Sequence, residues 1–104
     1  MMDFGEAAGR SRSLNERFRK ARGMEWKPEV MLTDLAEEVG ELANAILTAQ
    51  GFKSEKRKKS DMADSLCDVM FDVFMIAGCY GIDPGKEYAR VLEDLDARLK
   101  REEF

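Results

Sequence analysis

Four aspartates, Asp61, Asp64, Asp68 and Asp72, recur at three- and four-residue intervals, the last two inside a stretch from Leu66 to Tyr80 that carries no other charge. At about 100° per residue they fall on one narrow stripe of a helix, with Val69, Val73 and Ile76 to one side and Phe71, Phe74 and Met75 to the other. A helix that is apolar nearly all round is expected to be buried. Burying carboxylates in such company costs free energy unless they are paired or bind a cation. The chain holds no histidine, which removes imidazole acid–base catalysis and imidazole-rich zinc sites. The chemistry that remains is that of carboxylate oxygen, which suits Mg2+ or Mn2+.

A second acidic group precedes it. Asp34, Glu37, Glu38 and Glu41 gather within roughly a quarter to a third of a helix circumference, away from a face of Leu32, Leu35, Val39, Leu42, Ala43 and Ile46 that reads as core. The ordinary reading is the solvated side of an amphipathic helix. However, no Lys or Arg lies between Pro28 and Gln50 to pair with these acids, and like charges so close cost stability unless a cation relieves them. Two facing helices, with Glu38 and Glu41 on one and Asp64 and Asp68 on the other, would form an oxygen cage of the kind helical bundles use for metals. The connection between them carries Lys53, Lys56, Arg57, Lys58 and Lys59. Such a run is usually a solvated loop. At the end of a shared groove its cations, with Lys53 and Arg57 as the candidates, would reach phosphates bound near the carboxylates. Trp26, the only tryptophan, is either a packing anchor between helices or a stacking surface for a base.

The elements that position these groups are all helical. Residues 1–12 mix Gly, Ala, Ser and charge without a sustained period and read as a mobile arm; residues 13–104 read as one all-α domain, the size of a single core. Ser13 with Glu16 suggests a capping box that opens a short helix ended by Gly23. The second helix is expected from about Pro28 to Gln50, with Gly51 as its stop. The third is expected from Ser60 or Asp61 to Gly81, and the fourth from Pro84 to about Arg101, capped by Asp83. On the fourth, Tyr88, Val91, Leu92, Leu95 and Leu99 share a packing face, and Glu87 with Arg90 or Asp94 with Arg98 can pair. Cys67 and Cys79 are twelve residues apart on one helix, too far to bridge each other, and are expected as reduced core thiols. There is no strand pattern, glycine-rich phosphate loop or nucleophile elbow.

The composition, 44% apolar and 37% charged, is that of an ordinary globule. No apolar run reaches the roughly 18 residues that span a bilayer, and Met1 to Glu6 lack the layout of a signal peptide, so a cytoplasmic protein without a membrane partner is expected. A net charge of −4 argues against a nucleic-acid polymer as partner.

Glu37-Glu38-Val39-Gly40-Glu41-Leu42-Ala43, then a basic connection, then Asp68-Val69-Met70-Phe71 and Gly81-Ile82-Asp83, resembles the MazG-type all-α nucleoside triphosphate pyrophosphohydrolases. Their pattern is Glu-Glu-x-x-Glu on one helix and Glu-x-x-Asp on the next, and the likeness runs from about Trp26 to Asp83. The resemblance implies a four-helix subunit whose bundle is completed in a homodimer or homotetramer, and a Mg2+-dependent cleavage of (d)NTP to (d)NMP and pyrophosphate that serves nucleotide-pool housecleaning, with Mn2+ as a substitute ion. It implies Glu38 and Glu41 as metal ligands, with Glu37 beside them, and Asp68 as the aspartate of the second half. The chemistry of such a site makes a spare carboxylate, Glu37 or Glu38, the candidate acceptor of the attacking water's proton, and Trp26, Lys53, Arg57 and Asp72 the candidates for substrate contact, Asp72 standing either against the substrate or behind the ligands. The chain departs from the pattern at Ser65, where the family usually has glutamate. Asp64, one turn before Asp68, stands where it would substitute; a shifted register would pair Asp61 with Asp64 but fits the distance to Gly81 less well. Two other readings stay open: phosphoribosyl-ATP pyrophosphohydrolase, with the same metal logic, and a non-enzymatic helical oligomerisation or adaptor module whose acids are merely solvated.

Overall fold

A computed structural model describes residues 1–23, 25–53 and 60–102. It is all-α, with no strand among the described residues: α1 is Phe4–Arg22, α2 Pro28–Ala49, α3 Ser60–Cys79 and α4 Pro84–Lys100. The stops are those the sequence suggests. Gly23, Gly51 and Gly81 all take positive φ, the left-handed conformation that glycine adopts without a Cβ clash. Pro28 and Pro84 open their helices, where a missing N–H costs nothing. Asp83 accepts hydrogen bonds from the N–H groups of Gly85 and Lys86 at 3.1 and 3.2 Å. Asp83→Ala is therefore expected to lower stability by about 1 kcal/mol, read as a lower urea midpoint with an unchanged slope.

The first helix corrects the expectation of an arm. It begins at Phe4 rather than Ser13, and its cap is Asp3, whose Oδ1 accepts from the Glu6 N–H at 2.8 Å. What holds this half of α1 is tertiary. Ala8 is buried in the core with Met31, Phe74 and Met75. Phe4 stands edge-on to Phe74 with ring centroids 4.9 Å apart, and 5.7 Å from Tyr88, a geometry that favours the positive edge of one ring against the negative face of the other.

The most extensive packing joins α2 to α3; α1 lies against α3 and also holds α4. Burial is one-sided on α2 and α3 and absent from α4, which overturns three expectations. Leu32, Val39 and Ile46 on α2 are 61, 49 and 41% exposed, so the face expected as core is largely bare; Met31, Ala45 and Thr48 are the buried residues instead. On α3, expected to be covered all round, Leu66, Met70 and Val73 are exposed, as are both cysteines. The apolar face of α4 is exposed throughout and the helix buries no residue. Its charges pair as expected, Arg90 with Glu87 at 2.9 Å and Arg98 with Asp94 at 3.9 Å. Among the described residues no single helix is long and apolar enough to cross a membrane.

Candidate functional site

The side chains that join α2 to α3 run in opposite order along the two helices. Met31 meets Cys79, whose Sγ donates to its Sδ at 3.4 Å; Asp34 is hydrogen-bonded to Asp72; Glu38 is hydrogen-bonded to Asp68. The helices are therefore antiparallel. One turn of α2 separates Asp34 from Glu38, and one turn of α3 separates Asp68 from Asp72, so the two acid pairs stack as rungs. The next rung in this register sets Glu41 across from Ser65.

From Glu38 onward the helices part into a cavity of about 520 Å³, lined by Glu37, Glu38, Glu41, Asp61, Asp64, Ser65 and Asp68. Every lining residue but one is an acid. Both registers that the sequence allows, Asp64 with Asp68 and Asp61 with Asp64, end in the same groove. Ser65, at the position of the missing glutamate, is buried.

The electrostatics follow from this crowding. Burial pushes the Glu38 carboxyl above its ordinary range, and the charges of Asp68, Asp34 and Glu37 push it further the same way. Asp72 is raised to about 7, first by burial, then by its hydrogen bond to Asp34 and by the charges of Asp34, Glu38 and Asp68. Two carboxyl groups that share a hydrogen bond must hold a proton between them. Asp72 is 4% exposed, and its buried Oδ2 has no hydrogen-bond partner. As the side chains stand, no three acids among the described residues converge closely enough to hold an ion. The donor set nevertheless fits a hard cation: the groove offers oxygen alone, and the charges crowded around Glu38 raise its pKa, a cost that a divalent ion removes.

The remaining candidates lie apart from this groove. Trp26 packs against the core and lines a separate cavity of about 190 Å³ with Asn15, Phe18, Arg19, Arg22 and Phe71. Lys53 lies just past the other end of α2, exposed, and its Nζ donates to the Asn44 side-chain oxygen. Arg57 and the rest of the basic run from 54 to 59 lie outside the described residues. Two features were missed as site elements. Asp34 belongs with Asp72, and the signal was its place four residues before Glu38, matching Asp72 four after Asp68. Phe18 and Phe71 join Trp26, which no spacing foretells, because the three residues come from α1, α3 and the turn before α2.

No curated protein and no solved structure matches the chain. The profile of the MazG nucleotide pyrophosphohydrolase domain does match it, over residues 26–101, a span that takes in the acidic helix, the acid-lined groove and the helix that follows. The chain belongs to the MazG nucleotide pyrophosphohydrolase family.

Proposed function

We propose that this protein is a Mg2+-dependent hydrolase that cleaves (d)NTP to (d)NMP and pyrophosphate. The observation that carries the reading is the groove between antiparallel α2 and α3, where Glu37, Glu38 and Glu41 face Asp61, Asp64 and Asp68 in a chain of a family generally dependent on divalent metals. Glu38, Glu41 and Asp68 would hold the ion, with Asp64 completing the set in place of the glutamate absent at Ser65. Bound there, Mg2+ or Mn2+ would neutralise charge on the triphosphate and acidify a water.

The chain's own groups supply the rest. Glu37 or Glu38 accepts the proton of the water that attacks the α-phosphorus, and pyrophosphate leaves. Glu37, which lines the groove beside the ligands, remains available for this while Glu38 holds the ion. The Trp26 cavity, with Phe18, Phe71 and the guanidinium of Arg19 along its wall, has the aromatic lining that stacks a base. Lys53 stands past the opposite end of the 22-residue α2 from Trp26, about 33 Å of helix, so Lys53, and Arg57 with it, would meet phosphate oxygens of a nucleotide whose base is held by a neighbouring subunit. The bare stripe of Leu32, Val39 and Ile46 favours a homodimer or homotetramer, since contiguous exposed apolar surface marks an interface. Cleavage of surplus or damaged nucleotides in the cytoplasm would be the physiological use.

The test is a panel of NTPs and dNTPs assayed for pyrophosphate release with Mg2+ or Mn2+. Release with at least one nucleotide, abolished by EDTA, is the expected result; no cleavage under either metal overturns the reading. Within the same assay Trp26→Ala is expected to raise KM about tenfold, the loss of one stacked base, while kcat changes less.

A further inference from the structure

We infer that Asp34 and Asp72 form a second divalent-cation site, one helical turn deeper than the groove of Glu38, Glu41 and Asp68. Neither residue belongs to the Glu-Glu-x-x-Glu and Glu-x-x-Asp pattern, and the inference rests on the proposed function only in placing a first ion at that pattern. Two independent observations carry it. The first is the rung itself: Asp34 and Asp72 are hydrogen-bonded across the hairpin, with Glu38 and Asp68 near enough to act on Asp72 electrostatically. The second is an unpartnered ligand atom. Asp72 is 4% exposed, faces these acids, and its buried Oδ2 has no hydrogen-bond partner.

Nothing on either helix offsets this charge. Neither α2 nor α3 contains a Lys or Arg, and the groups that act on Asp72 are all carboxylates: Asp34 and Glu38 from α2 and Asp68 from α3. The arginines that α1 brings against α3 lie elsewhere. Arg12 reaches Gly78, and Arg19 lines a cavity with Met31, Met75 and Cys79. A shared proton satisfies the contact between the two aspartates and still leaves Oδ2 an acceptor without a donor, which is costly in a buried site. A divalent ion engages Oδ2 and relieves the repulsion of all four acids together. The rungs are one turn apart, about 6 Å of helix rise, wider than the roughly 4 Å of two ions that share one phosphoryl group, so the second site would be separate from the first.

The experiment counts ions. Free Mn2+ is titrated into the full-length protein, without nucleotide, at pH 8, and followed by its electron paramagnetic resonance signal. Wild type is expected to bind two Mn2+ per chain, and Asp72→Asn and Asp34→Asn one or none, each with an unchanged helical circular dichroism spectrum. The half-buried Asp34 provides a second variant should the buried position not tolerate change. A wild-type count of one, or counts in both variants equal to the wild type's, overturns the second site. Glu41→Gln separates the two readings. One ion that is lost with Glu41→Gln and kept in Asp72→Asn leaves the proposed hydrolase standing without its second site, whereas no Mn2+ bound by the wild type removes both.

Discussion

Glu38→Gln is expected to reduce metal-dependent pyrophosphate release about 10²- to 10³-fold, chiefly in kcat, while the helical content stays as it was. Glutamine keeps the volume and removes the charge. Glu38 joins acids of both helices: it is hydrogen-bonded to Asp68 and feels Asp34 and Glu37. Its loss would weaken the proposed cation site and remove a candidate proton acceptor at once, and single groups that stabilise charge in the transition state are worth about 3–4 kcal/mol. The effect should also appear without substrate. Millimolar Mg2+ is expected to raise the melting temperature of the wild type by mass action, and the rise should shrink in the variant. Activity within threefold of wild type would remove Glu38 from the mechanism.

The second large effect is on stability and depends on pH. In the absence of metal the Asp72 carboxyl lies at about 7, against 3.8 for an ordinary aspartate. Between these values the folded state holds a proton that the unfolded state has released. The protonated form therefore contributes stability that is complete below about pH 4, falls as pH rises, and is lost above about 7. At about 1.4 kcal/mol per pH unit over this interval the change is at most ~4 kcal/mol. Glu38, raised in the same direction, adds to it with the same sign. Asp72→Asn has nothing to titrate there, so its urea midpoint in EDTA should fall much less between pH 4.5 and 8 than the wild type's. Parallel curves for the two proteins would show that Asp72 ionises as an ordinary carboxylate. Because a cation binds the ionised form, Mg2+ should restore the wild type far more at pH 8 than at pH 5.

These effects trace to features of differing legibility. The stops at Gly23, Gly51 and Gly81 and the cap at Asp83 are local chemistry, decided by a few neighbouring residues, and they stand where the sequence puts them. The acidic stripes are nearly as legible. An α-helix fixes the angle between residues three and four apart, so Glu38 with Glu41, and Asp64 with Asp68, share a face whatever surrounds them. The start of α1 was not legible: Gly5 and Gly9 weaken the local signal, and what keeps residues 4–12 helical is Ala8 and Phe4 seated against Phe74, contacts some 70 residues away in the chain.

The amino-acid sequence by itself determined the four helices, their ends apart from the start of α1, the acidic stripes and the family. The tertiary structure decided the rest. Periodicity states which residues share a face but not what covers it, so Leu32, Val39, Ile46 and Leu66 could read as core and yet stand exposed. Only the antiparallel register of α2 and α3 sets Asp34 against Asp72, and burial there, with the hydrogen bond and the charges met at that rung, raises the Asp72 carboxyl to about 7. The physical reason is range. Capping and helical phase act over a turn or two of chain, whereas desolvation and cross-helix charge depend on which surfaces meet.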